Sequence, residues 1–499
     1  MPETDARQLV EILGPVRSGR QPARSVAATK SKRRVDLDAA IAARGLRSGG
    51  VVSFHHHYRN GDHLLNAALE VTANRGLRDL TLAASSIFPV HEPLVGHLKS
   101  GVVRQIITSY LKGPVADFIA SGQMTRPIVL QSHGGRARAI CSGQLAVDLA
   151  IIGASLAMPD GAATGRLGRA ACGPLGYAMV DAAHAAEVVV VADCIADFPE
   201  DLAEITGDQV DHLVEAPGLG DPSGILSGVT VPLTTPLAQH MGRQIAEIIR
   251  AAGLMTTGFS FQTGSGGYSL GSVPFIGSQL SRAGVRGDFI SGGITGAHVE
   301  IVGQGLMTRI RDVQSFDLAA VRSAAENGWH EVMSAEAYAS PQHPSPAVDG
   351  LSAMIVGAAE IDRSFNVNVA VGGDGRIIGG PGGHPDAAFG ANLAIVATPL
   401  TGGGFAKLVE KVTCCTTPGT SVGAVVTEVG IAIHPDRPGL ALACRSAGLP
   451  IKPLDEIIAA VVATRETRPR GNGRTIALVE DRNGQVLDVI RMLQPTRKD

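Results

Sequence analysis

The feature that most constrains this chain is that it repeats itself. Residues 41–54 read IAARGLRSGGVVSF and residues 248–261 read IIRAAGLMTTGFSF. AIIGA at 150–154 is matched by MIVGA at 354–358, and AEVVVVA at 186–192 by ANLAIVA at 391–397. The three pairs keep one order and one offset of about 205 residues, which is far harder to obtain by chance than any single match. The chain therefore reads as two copies of one scaffold, and 499 residues suit two cores better than one. The copies diverge after each SF, into HHHYRNGD at 55–62 and QTGSGGYS at 262–269. Later, ACGPLGYAMVDA in the first copy stands against GGPGGHPDAAFGA in the second. A shared scaffold with divergent loops points to the loops as the place for chemistry.

The strand candidates VVSF, LTLAASSIF, RQIITSYL, VDLAIIGA and EVVVVAD alternate with helices such as 64–74 and 178–186. Continuous β-branched runs separated by helices imply parallel strands covered on both faces. The expected architecture is α/β: two related domains, each with an open, mostly parallel sheet. Residues 1–35 read as a basic, solvated N-terminal arm, 36–236 as the first domain and 237–499 as the second. The DRNG turn at 481–484 predicts a terminal hairpin, assigned to the second domain.

Composition excludes several classes. Aromatics are 4% and net charge is −3, against a stacking surface for nucleic acid and against a general polyanion binder. No run approaches the ~18 apolar residues of a spanning helix, and MPETDARQ does not resemble a signal peptide. Six cysteines occur without a C-x-x-C, which suggests reduced thiols and a cytoplasmic protein.

Four loops are candidates for function. In GGPGGHPD (379–386) four glycines open the backbone to a ligand. If Asp386 begins a helix through Gly390, free N–H groups would converge there on an oxyanion or phosphate. QTGSGG (262–267) resembles a phosphate loop only loosely, because its glycine spacing departs from that fingerprint. In each case a plain tight turn is the alternative. His55 and His57 would share one face of a strand, and with Arg59 could hold an anionic substrate or be satisfied structural residues. Metal ligands that would complete them are not visible nearby, so no metal site is expected. Ser132-His133-Gly134-Gly135-Arg136 offers further donors for carboxylates, or is a surface turn.

Taken in order, the stretches SFHHHYRNGDHLLN, SHGGRARAI, GPLGYAMVDAAHAA, GFSFQTGSGGYSL, DVQSFDL, EIDRSFNVNV, GGPGGHPDAAFGA and VTEVGIAIHPDRP resemble the citrate lyase alpha subunit family. They span residues 40–455. The resemblance implies two CoA-transferase-like domains and a citrate CoA-transferase, which exchanges acetyl for citryl on the thioester arm of an acyl carrier and releases acetate. It implies a cytoplasmic homo-oligomer working with a lyase beta subunit and an acyl carrier gamma subunit. No cofactor is expected on the chain itself; the carrier brings a CoA-like phosphoribosyl-dephospho-CoA arm, for which acetyl-CoA can substitute. On this reading Gly382, Gly383 and His384 form the catalytic segment. Gly264, Gly266 and Gly267 hold the arm, and His55, His57, Arg59, His133 and Arg136 hold citrate. One departure matters. Many related transferases carry a covalent glutamate near the position of 287–294, which here reads GDFISGGI. Direct transfer without a glutamyl intermediate is therefore expected. A transferase or hydrolase for another acid, and a non-catalytic scaffold, remain as alternatives.

Overall fold

The computed structural model describes residues 3–27, 29–43, 46–226, 231–466 and 471–493. Its core is two sheets with one strand order. In the first half Ile128–Gln131, Val103–Thr108, Leu80–Ala84, Val51–Phe54, Leu149–Ala154, Glu187–Ala192 and His212–Glu215 lie side by side, all parallel. In the second half His330–Val332, Met307–Ser315, Gly287–Ile294, Phe261–Thr263, Ala353–Val356, Leu393–Ala397 and Ala424–Val426 follow the same order, again all parallel. An antiparallel strand, Ile431–Ile433, closes the far edge of the second sheet. The three repeated segments supply three adjacent central strands in each half. The strands Glu187–Ala192 and Leu393–Ala397 are buried throughout, as strands covered on both faces require.

Local signals set the helix ends. Asp36 caps the helix Leu37–Ala42 by accepting from the Ala39 N–H at 2.7 Å; the sequence reads Gly45 as the stop of this helix, a residue outside those described. The helix Pro236–Ala251 opens the second half, with Thr235 accepting from Ala238.

Two expectations about the termini are corrected. The hairpin Thr475–Glu480 and Val486–Arg491 forms as predicted but does not join the second sheet. Its first strand pairs in parallel with Ile128–Gln131, Ala477 opposite Ile128, and so extends the first sheet. Without it that strand would end the sheet with unpaired backbone groups. The cross-link is reinforced inside by Glu480, which accepts from Arg138 at 2.8 Å. The N-terminal arm, in turn, is not merely solvated. The helix Glu3–Leu13 buries Leu9 and Leu13 in the core. Further along, Gln21 N–H donates to Cys141 O, Arg24 N–H donates to Ala183 O, and Arg24 pairs with Asp211 at 2.7 Å.

Candidate active site

In each sheet the strand order reverses between the first strand and its neighbour, Val51–Phe54 beside Leu149–Ala154 and Phe261–Thr263 beside Ala353–Val356. Ligands of open parallel sheets collect beyond the carboxyl ends of the strands at such a reversal. The divergent loops HHHYRNGD and QTGSGGYS emerge at these two points. They face one cavity of about 1380 Å³, which residues of both halves line.

Two helix-entry loops meet in its wall. Ser132 caps the helix His133–Cys141 by accepting from Gly135 N–H. Across the junction, His133 N–H donates to Gly382 O at 2.9 Å. Asp386 reaches back from the second half to accept from Gly134 N–H at 2.8 Å. The helix begins at His384, not Asp386, with Gly383 before it, so the Asp386 carboxylate is spent on this latch. Burial raises its pKa to about 6, which the Gly134 hydrogen bond opposes. The two glycines expected to donate hydrogen bonds also differ. Gly382, at φ +52°, turns the chain and gives its N–H to Ser109 O at 3.2 Å. Gly383 N–H has no acceptor among the described residues and lies on the cavity wall. Beside it, Tyr338 Oη accepts from Gln262 Nε2 at 2.7 Å.

The histidine run is turned the other way from its expected face. His55 and His57 stack on each other and do not line the cavity; His55 Nε2 lies 3.1 Å from buried Asp181. Arg136 is also withdrawn. It is 1% exposed and donates to both oxygens of Asp181, at 2.8 and 2.9 Å. Burial alone would raise the Asp181 carboxyl, but Arg136 and His55 hold it well below the usual carboxylate range. His55 and Arg136 thus belong to a buried charge network behind the site, and His57 stacks against it. His56 is the member that lines the cavity, beside His133 and Tyr177. His55 and His57 thus share one side, as alternation predicts, although the strand itself ends at Phe54; the side they share is the buried one, not the cavity. Arg59 does reach the cavity, at φ +55°, with its guanidinium over the rings of Phe88 and Phe316; burial lowers its pKa to about 10. Burial, and then Arg136, push His133 down to about 3. Burial also pushes His384 down to about 4. These imidazoles are neutral at pH 7, and a carboxylate placed beside them would raise their pKa values.

Gly264, Gly266 and Gly267 also line the cavity, as does His384. Gly264 N–H is used by Ile355 O at 2.7 Å. His384 contacts Thr417 Oγ1 at 2.7 Å and Gly357 O at 3.2 Å. Ser291 is buried in the strand beside Gln262, and among the described residues no glutamate lines the cavity. Residues that the sequence did not single out include Tyr177, Gln262, Tyr338 and Lys407. Lys407 donates to Ala358 O at 2.6 Å, and burial lowers its pKa to about 8. Tyr177 and Gln262 stood inside stretches already marked as divergent; nothing local marked Tyr338 or Lys407.

Residues 30–493 match the citrate lyase alpha subunit (CitF) family. The citrate lyase alpha chain of Klebsiella pneumoniae is 41% identical over 460 residues, 92% of this chain and 91% of that one. That of Escherichia coli (strain K12) is 40% identical over 461 residues, 92% and 90%. The crystal structure of the alfa subunit of citrate lyase from Streptococcus mutans, in complex with citrate, matches with a TM-score of 0.93 at 38% identity, over 99% of both chains. A malonate decarboxylase alpha subunit from Acinetobacter baumannii shares the fold, with a TM-score of 0.61 at 15% identity over 91% of this chain and 93% of that one. With a family match along nearly its whole length and relatives this similar throughout, the chain belongs to the citrate lyase alpha subunit family.

Proposed function

We infer that this chain is the citrate CoA-transferase of a citrate lyase complex, exchanging acetyl for citryl on a thioester arm and releasing acetate. The observation that carries the assignment to this cavity is the meeting of two loops from different halves, with Gly383 N–H on the wall and without an acceptor among the described residues. A citrate carboxylate attacks the acetyl thioester carbonyl, and the carbon–sulfur bond breaks to give a mixed anhydride and a thiolate. The thiolate then attacks the citryl carbonyl of that anhydride and acetate leaves. Each attack builds an oxyanion, which Gly383 N–H would stabilise; loss of one such donor typically costs about 10²–10³ in rate. Holding both reactants in one cavity contributes at most about 7–11 kcal/mol more. Arg59, His56 and His133 are the groups that would hold citrate carboxylates by charge-assisted or neutral hydrogen bonds. The turn of Gly264, Gly266 and Gly267 lines the same cavity and would carry the arm.

The arm is a CoA-like phosphoribosyl-dephospho-CoA group on an acyl carrier gamma subunit, and a beta subunit would cleave the citryl product. These partners, self-association of the chain and a cytoplasmic location belong to the same proposal; no helix among the described residues is long and apolar enough to cross a membrane. Transfer is direct on this reading, since among the described residues no glutamate lines the cavity to form a covalent thioester.

Exchange between acetyl-CoA and citrate by the isolated chain tests the activity, with succinate in place of citrate testing the acid. Absence of citrate exchange in a folded chain would overturn the assignment. Incubation with acetyl-CoA and then hydroxylamine should leave every glutamate unmodified; one modified glutamate would overturn direct transfer.

A further inference from the structure

Away from the cavity, three helices converge at the junction of the halves. Cys141 is the last residue of His133–Cys141 and His184 the last residue of Gly176–His184, both from the first half. Glu336 lies in the first turn of Ala335–Ala339, from the second. Their ligand atoms all fall within 4.8 Å of one another. Cys141 is a free, buried thiol. Both ring nitrogens of His184 are shielded from solvent without a hydrogen-bond partner, which leaves polar atoms desolvated and uncompensated. Two helix C-termini aimed at one point also favour a positive charge there. The N-terminal arm covers the cluster, Gln21 N–H donating to Cys141 O and Arg24 N–H to Ala183 O. From that arm Arg20 donates to Glu336 at 2.9 Å, so a cation already occupies part of the position.

We propose that Cys141, His184 and Glu336 bind one zinc-class divalent ion that ties both halves together beneath the N-terminal arm, apart from the catalytic cavity. A thiolate, an imidazole and a carboxylate form a ligand set that zinc accepts, with a fourth position left for water. Binding replaces the Cys141 S–H bond with a sulfur–metal bond and releases one proton to solvent. Arg20 is the competitor. Its side chain is 53% exposed, and an ion pair made by so exposed a partner contributes little, so the ion displaces it from Glu336 or shares the carboxylate with it. No pattern in the sequence betrays the site, because its members come from three separate helices.

The test is titration of the full-length, EDTA-stripped chain with Co²⁺ and Zn²⁺. Co²⁺ should produce a thiolate-to-cobalt charge-transfer band that Zn²⁺ abolishes, and Zn²⁺ should raise the melting temperature and remain bound at one ion per chain after gel filtration. Affinity should fall about ten-fold or more in His184→Asn, since losing even an outer partner of a ligand costs about 10–100-fold, and the band should vanish in Cys141→Ser. Arg20→Gln should bind as tightly or more tightly. If Cys141→Ser does not fold, the wild-type band and its weakening in His184→Asn decide the matter. No band in the wild-type chain, a band indifferent to His184, or binding lost in Arg20→Gln would overturn the site and leave an ordinary Cys–Glu–Arg cluster.

Discussion

Replacing Gly383 by alanine adds a single methyl group at the place where the two halves meet. Gly383 has φ −90° and ψ 4°, a conformation open to other residues, so the backbone itself does not resist. The space does. A Cβ there would stand 2.5 Å from Tyr338 Oη and 3.2 Å from His133 Cδ2, where ordinary contact starts at 3.4 Å. About 0.9 Å must come from somewhere. Tyr338 is buried and its hydroxyl is held by Gln262, so forcing the ring away resembles overpacking, at about 1–3 kcal/mol. If the loop moves instead, Gly383 N–H loses its aim, and a lost oxyanion donor costs about 10²–10³ in kcat. We expect Gly383→Ala to lower kcat for acetyl-CoA/citrate exchange on that scale with a smaller change in KM, and Gly383→Val to abolish exchange. Adding Tyr338→Phe removes the clashing oxygen and leaves Cε1, at 3.3 Å, as a contact of the Tyr338 ring. The double variant should recover about ten-fold over Gly383→Ala, equivalent to about 1.4 kcal/mol. A folded Gly383→Ala chain with near wild-type kcat would refute the role given to this N–H.

Further outcomes follow from the same geometry. Asp386 has a folded pKa of about 6, above its unfolded value, so the folded chain binds the proton more tightly and this group's contribution to stability falls as pH rises towards and through 6. Asp386→Asn should remove that component from melting curves taken between about pH 4 and 7; an unchanged pH profile would refute it. Arg136→Met leaves the Asp181 carboxylate buried with only His55 beside it, so denaturant unfolding should show a loss of about 3–5 kcal/mol, whereas a loss below about 1 kcal/mol would mean that the pair is not buried as described. His56→Ala should raise KM for citrate far more than KM for acetyl-CoA; the reverse pattern would place His56 on the arm side of the cavity. Truncation after residue 470 strips two strands, Thr475–Glu480 and Val486–Arg491, from the first sheet and should leave that half aggregated or unfolded by circular dichroism, while a stable, monodisperse product would show the hairpin to be dispensable.

Much of the scaffold was legible in the sequence because repetition and β-branched runs are local signals. The repeated segments fall on matching central strands, and helix 64–74 forms with its predicted bounds, Leu64–Asn74. The site was legible only as a set of loops. Which histidine faces the cavity was not, because alternation puts His55 and His57 on one side but does not say which side meets the cavity. Arg136 looked like a donor for substrate, but its partner Asp181 lies 45 residues further on. The Gly382 N–H looked free, but Ser109 O comes from the other half.

The sequence by itself determined that there are two copies of one parallel α/β scaffold and that their loops differ, because strand periodicity and repeats are written along the chain. The tertiary structure alone decided how those copies share their parts. It lent the last hairpin to the first sheet, folded the arm over the junction, and latched Asp386 onto Gly134. It also chose Gly383 over Gly382 as the open donor. Those outcomes depend on pairing unsatisfied backbone and buried charge across hundreds of residues, and no local pattern records which partner will be near.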